Sequence, residues 1–211
     1  MPLLVVWEVW LARNHRIFKD SSFPIARLAA EGVAIFESLP LPSISLSCRP
    51  VQAKEIKGSI PWAYFDGASD INKNCGASLV IHFPSRNFLK ASIGLGTGTN
   101  NFAELKTLHL LLCWLSLLNV REVQIFGDSQ NTVKWANGSH QCRNYLLTPL
   151  LAEIFRLKSC FDELTICHIY RERNSEADNL SKKGIEKVLD SWTVDEVVDG
   201  VARRLAPPVF A

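Results

Sequence analysis

Our prediction of the fold starts from the segment W-A-Y-F-D-G-A-S, residues Trp62–Ser69. Its aromatic residues at alternate positions predict a buried β-strand, and the Asp-Gly-Ala-Ser that closes it has the composition of a turn. Asp66 is therefore predicted to end a core strand. Taken alone, Asp66 is most simply explained as an Asx-turn residue that closes the strand.

Composition predicts a globular intracellular protein. The 211 residues are 47% hydrophobic and 21% charged, which suits one domain plus an appendage, and the net charge of +2 is too small to indicate nucleic-acid binding by itself. The six cysteines show no metal-binding spacing, so we expect reduced thiols. The N-terminus lacks a basic region and the most apolar stretch, 108–118, is too short to span a membrane. We expect a soluble, monomeric protein of the nucleus or cytoplasm.

The chain divides into four predicted parts. Residues 1–37 have helical spacing and predict an N-terminal helical segment, and residues 38–60 are rich in proline and serine, as linkers are. An α/β domain is predicted over 61–190. The tail, 191–211, shows weak helical spacing through Val194, Val197, Val198 and Val201.

Regular patterns within 61–190 predict the element order β-β-β-α-β-α-α-β-α. Three strands with short links indicate an antiparallel meander, and helical crossovers then favour parallel pairing. We therefore predict a five-stranded mixed sheet flanked by helices. After the Asp66 strand, the predicted strands are 76–83, 88–94, 123–126 and 164–170, and the predicted helices are 101–119, 130–137, 145–160 and 175–189.

Three further carboxylates follow at the ends of predicted elements, and each has a structural explanation. Glu104 fits a capping box if Asn101 is the N-cap of its helix. Asp128 could itself be an N-cap, and Asp178 lies in a Ser-x-x-Asp pattern that also resembles a capping box.

These explanations leave the shared position of the four carboxylates unexplained. Strand ends and helix starts gather along one edge of an open sheet, where ligand sites usually form. Like charges about 4 Å apart repel by roughly 4 kcal/mol at an effective dielectric constant of 20, so such a cluster needs shared protons or cations. Oxygen ligands suit Mg²⁺ or Mn²⁺, and two such ions can drive in-line attack on a phosphodiester.

Four segments resemble, in order and spacing, the acidic motifs of type 1 ribonuclease H. The similarity is greatest to the ribonuclease H-like domain of plant non-LTR retrotransposons and of the reverse-transcriptase-like proteins derived from them, and it covers about residues 60–187. Residues 6–19 also resemble a segment of those retroelement proteins, which would make residues 1–37 a remnant of a longer protein. The segments are F-D-G-A-S (65–69), T-N-N-F-A-E-L (99–105), G-D-S-Q (127–130) and R-N-S-E-A-D-N-L-S-K (173–182).

The resemblance implies a ribonuclease H-like fold and hydrolysis of the RNA strand in an RNA–DNA hybrid, with two Mg²⁺ or Mn²⁺ ions. It assigns metal binding and catalysis to Asp66, Glu104, Asp128 and Asp178. It assigns contacts to the hybrid to four further polar residues, which are Thr99, Asn100, Asn101 and Gln130. Sensing the 2′-OH is how a protein tells RNA from DNA, and amide side chains can do so.

Departures from the family leave alternatives open. The histidine that the bacterial enzymes carry in a loop before the last aspartate has its nearest counterpart in His168, inside a predicted strand, where it either assists product release or packs. The basic protrusion of some members is absent around 138–143, and the glycine-rich turn is reduced at 70–74. The alternative function is a domesticated nucleic-acid-binding module with a weak or inactive site. Another nuclease or integrase of the wider fold is disfavoured by the Thr-Asn-Asn-x-x-Glu segment.

Overall fold

Seven strands form one sheet in the computed structural model, which describes residues 55–209. In chain order the strands are β1 (Trp62–Ser69), β2 (Asn74–His82), β3 (Phe88–Thr97), β4 (Glu122–Gly127), β5 (Glu163–His168), β6 (Trp192–Val198) and β7 (Val201–Leu205). The helices are α1 (Asn100–Leu117), α2 (Gln130–Ala136), α3 (Thr148–Lys158) and α4 (Ser175–Ile185), with a 3₁₀ turn at Arg171–Arg173 before α4.

The sheet has the order β5-β4-β1-β2-β3-β6-β7 and is mixed, as predicted. Strands β1, β2 and β3 form the antiparallel meander, whereas β4 and β5 run parallel to β1. Each parallel strand is reached through helices, as right-handed crossovers require. The ends of β1, β4 and β5 therefore lie along one edge of the sheet.

The predicted count of five strands is wrong because the end of the chain also joins the sheet. β6 pairs antiparallel with β3, and β7 pairs with β6, so residues 192–205 form two strands where the sequence indicated weak helical spacing. The valines that suggested a helical stripe are β-branched, and such residues fit a pleated sheet well. Asp199 and Gly200 have positive φ angles of 50° and 78°, which suits a two-residue hairpin turn.

Helices cover the two faces of the sheet, and side chains that alternate along β1 point to one or the other. α1 packs on the face of β1 that includes Phe65, and its predicted apolar stripe is fully buried at Leu105, Leu108, Leu112 and Leu115. α4 packs on the opposite face, where the Ser78 hydroxyl donates to the carbonyl oxygen of Ala177 at 2.6 Å. The sheet edge between α1 and α4 is where the site lies.

The predictions for residues 1–37 and for most of the linker at 38–60 lie outside the described residues, and the domain boundaries stay a prediction. Within 55–209, none of the helices combines the length and apolar character needed to cross a bilayer.

Candidate active site

Three carboxylates meet where the parallel pairing of β1 with β4 ends. That pairing stops at Phe65 and Gly127, and the next residue along the chain is an aspartate in both cases, Asp66 and Asp128. Glu104 of α1 joins them, and one oxygen from each of the three carboxylates lies within 4.8 Å of the other two. Among residues 55–209, this is the one group of three or more potential metal ligands.

Asp66 does not close a turn, contrary to the prediction from its Asp-Gly sequence. β1 continues to Ser69, and Asp66 lies opposite Ser78 of β2 within the antiparallel ladder. Gly67 is required by close packing: a Cβ at this position would lie 2.2 Å from the carbonyl carbon of Ala103 in α1. The first turns of α1 therefore rest on the backbone of β1, which places Glu104 beside Asp66.

The capping explanations are also wrong. The N-cap of α1 is Thr99, whose hydroxyl accepts from the N–H of Phe102 at 3.2 Å, so Glu104 lies too deep in the helix for a capping box. The N-cap of α2 is Ser129 rather than Asp128. Two of the carboxylates are thus left without the capping role that would have explained them.

Burial controls the electrostatics of the cluster. Glu104 is only 4% exposed, and its Oε2 has no hydrogen-bond partner among residues 55–209. Burial, together with the negative charges of Asp66 and Asp128, raises the pKa of Glu104 to about 9, although a hydrogen bond from the Gly67 N–H opposes this shift. Burial also raises the pKa of Asp66 to about 6, against a hydrogen bond from Ser181 that lowers it. At neutral pH the Glu104 carboxyl group therefore retains its proton unless a cation replaces it, whereas Asp66 is mostly ionised.

The cluster fits a divalent cation. It offers carboxylate oxygens without histidine or cysteine, which is the donor set that Mg²⁺ and Mn²⁺ prefer. The buried Glu104 Oε2 is an acceptor that nothing in residues 55–209 satisfies, and buried acceptors of this kind require a partner. Asp66, Glu104 and Asp128 are the residues that could hold the ion.

Asp178 lies beside this group but is bound by two cations. Its Oδ1 accepts from Arg171, with Nε at 3.0 Å, and its Oδ2 accepts from Lys182 at 2.5 Å. Although burial raises the pKa of Asp178, the hydrogen bonds from Lys182 and Arg171 outweigh it and lower the pKa. Arg171 also lies 4.0 Å from Asp128. Neither cation was identified from sequence, although the i, i+4 spacing of Asp178 and Lys182 on a helix was a usable signal.

Asn174, the N-cap of α4, braces the two strands of the site. Because Asn174 rather than Ser175 is the N-cap, the predicted Ser-x-x-Asp capping box is absent, and Asn174, which is 1% exposed, makes no side-chain capping bond either. Instead its Nδ2 donates to the carbonyl oxygen of Phe65 at 3.0 Å and to Asp128 Oδ1 at 3.4 Å. Asn174 therefore links β1 to the aspartate after β4, a role that sequence reasoning missed.

The carboxylates open into a cleft of about 620 Å³. Of the residues predicted to contact a nucleic acid, Asn100, Asn101 and Gln130 line this cleft and are exposed, whereas Thr99 caps α1 beside it. His168 lies outside the cleft at the end of β5, and its Nε2 is 3.1 Å from the carbonyl oxygen of Asp128.

An antiparallel meander followed by parallel strands, with carboxylates where β1 and β4 stop pairing, defines a ribonuclease H-like domain. Residues 65–184, more than half of the chain, match the family described as reverse transcriptase-like. The chain belongs to this family.

Individual relatives agree with this assignment. Ribonuclease HI of Halobacterium salinarum is 28% identical over 132 residues, which are 62% of this chain and 66% of the relative. The crystal structure of RNase H1 from Halobacterium salinarum NRC-1 has a TM-score of 0.57 at 26% identity and covers 61% of this chain and 98% of its own. LC11-RNase H1, isolated from compost and solved in complex with an RNA/DNA hybrid, has a TM-score of 0.55 at 28% identity over 60% of this chain and 96% of its own.

Proposed function

We propose that this chain is a metal-dependent endonuclease that hydrolyses the RNA strand of RNA–DNA hybrids. The observation that carries the proposal is the convergence of Asp66, Glu104 and Asp128 within 4.8 Å at the sheet edge. Membership of the family and similarity to an RNase H1 solved with an RNA/DNA hybrid support the choice of substrate.

The three carboxylates would hold Mg²⁺ or Mn²⁺, with two ions as the proposed number. When bound, such ions activate water and stabilise the leaving oxygen of a phosphodiester. The protein positions the ligands: Asn174 holds Asp128 against β1, and the packing of α1 on Gly67 holds Glu104 next to Asp66. Asp178 would become the fourth ligand by releasing its two cationic partners.

Substrate recognition would come from the exposed amides of the cleft. Asn100, Asn101 and Gln130 can each donate to and accept from a 2′-OH, which distinguishes RNA from DNA. Arg171 and Lys182 line the same cleft and offer positive charge to phosphates.

The second candidate is a module that binds nucleic acid without cleaving it. The ion pairs of Asp178 with Arg171 and Lys182 favour it, because they neutralise the fourth carboxylate and place cations beside the other three. A chain held in this state would bind phosphates without a full set of metal ligands.

Incubation of the purified chain with an end-labelled RNA–DNA hybrid separates the two candidates. We expect Mg²⁺- or Mn²⁺-dependent cutting of the RNA strand, with single-stranded RNA and DNA duplex of the same sequence left intact. A hybrid that is retained in a binding assay but stays uncut with either metal would establish the second candidate. Failure to bind or cut the hybrid would contradict both.

A further inference from the structure

Ser181 of α4 contacts the metal-ligand cluster from the side opposite to α1. Its side chain is completely buried, and its hydroxyl contacts both Asp66 Oδ2 and the carbonyl oxygen of Asp178, the latter at 2.9 Å. A hydroxyl carries one hydrogen, and an ionised carboxylate is a stronger acceptor than a carbonyl. The Ser181 hydrogen is therefore directed to Asp66.

This short side chain reaches Asp66 because α4 lies directly on the sheet backbone. A Cβ at Gly76 of β2 would lie 2.2 Å from the carbonyl oxygen of Ser181, and a Cβ at Gly184 would lie 2.4 Å from the carbonyl oxygen of Ile93. The two glycines allow a helix approach that larger residues would block. The contact between Ser181 and Asp66 thus follows from the packing of α4.

We propose that Ser181 is a positioning residue that fixes the Asp66 carboxylate, so that Asp66, Glu104 and Asp128 are arranged for a divalent cation before one binds. The inference rests on the metal site of the proposed function. With Oδ2 held by α4, the Asp66 side chain has little freedom to rotate, and less conformational entropy is lost when the ion is bound. Groups that orient metal ligands in this way commonly contribute 10- to 100-fold to metal affinity or activity.

The test compares Ser181→Ala with Ser92→Ala. Ser92 is a matched control because it is also buried between α4 and the sheet, where its hydroxyl donates to the carbonyl oxygen of Leu180 at 2.9 Å without touching a carboxylate. Calorimetric titration of each chain with Mn²⁺, in the absence of nucleic acid, measures metal affinity directly. We expect affinity to fall about 10-fold for Ser181→Ala and to stay at the wild-type value for Ser92→Ala.

Thermal unfolding of the two variants shows whether both chains are folded. If Ser181→Ala does not unfold cooperatively, Ser181→Cys replaces it, since a thiol is a weak donor and the same direction of change is expected. Equal Mn²⁺ affinities for the wild type and the Ser181 variant would overturn the inference, as would an equal loss in both serine variants. Absence of Mn²⁺ binding by the wild type would overturn the proposed metal site itself.

Discussion

Replacing Glu104 by glutamine removes the most perturbed carboxyl group of the site and should change how stability depends on pH. In the metal-free folded chain burial raises the pKa of Glu104 from 4.5 to about 9. Over this interval the unfolded chain releases the proton and the folded chain keeps it, so the free energy of unfolding falls as pH rises. The slope is about 1.4 kcal/mol per pH unit, or about 3 kcal/mol between pH 6.5 and 8.5.

Urea unfolding in EDTA at pH 6.5, 7.5 and 8.5 measures this slope for wild type and Glu104→Gln. Any packing or hydrogen-bonding effect of the amide is the same at each pH, and so are the contributions of the histidines. The glutamine variant should therefore gain about 3 kcal/mol on the wild type across the interval. Parallel profiles would show that Glu104 is ionised in the metal-free chain, which would refute the close packing of the carboxylates.

Glu153→Gln is the matched control for this experiment. Glu153 is exposed on α3 and pairs with Arg156 at 2.8 Å, a surface contact that contributes little to stability. Its profile should follow that of the wild type. Addition of Mn²⁺ should then stabilise the wild type at pH 8.5 far more than Glu104→Gln, because one metal ligand is lost in the variant.

Three further predictions concern the elements around the site. Gly67→Ala should lower the free energy of unfolding in denaturant by about 1–3 kcal/mol or more, because the added Cβ would lie 2.2 Å from the backbone of α1. A variant as stable as the wild type would contradict that packing. A chain ending at residue 191 should scatter light and aggregate, because the β3 edge loses its partner; a monomeric, cooperatively folding truncation would disprove this. Arg171→Ala should raise the pKa of Asp178, because burial is then opposed by Lys182 alone. As pH falls, the stability that the ionised carboxylate contributes is then lost at a higher pH than in the wild type. An unchanged midpoint in an NMR titration of the Asp178 carboxyl carbon would contradict the ion pair.

Local patterns predicted the core of the domain correctly. The alternating aromatic residues of β1 and the leucine stripe of α1 each indicate which side of a single strand or helix is buried, and such periodicity can be read from the sequence alone. The family motifs placed four carboxylates in one site, and the structure brings three of them together, Asp66, Glu104 and Asp128, whereas Asp178 is paired with Arg171 and Lys182.

The sequence could not predict features that depend on contacts between distant elements. The segment 192–205 has both helical spacing and β-branched composition, and pairing with β3 decides in favour of strands. The Asp-Gly of β1 suggested a turn, whereas Gly67 is needed for contact with α1. The bonds of Ser181 and Asn174 to the aspartates span more than 40 residues and follow no local pattern.

Single-turnover cleavage of an RNA–DNA hybrid by Asp128→Asn tests whether the carboxylate cluster is a hydrolytic metal site. The amide keeps the shape of Asp128 but removes the charge that a cation needs. Asp162→Asn, a change at an exposed position just before β5, serves as the control. We expect metal-dependent cleavage of the RNA strand by the wild type and by the control, with a loss of about 100-fold in Asp128→Asn. Equal cleavage by all three chains would show that the carboxylate cluster is not where the RNA strand is hydrolysed.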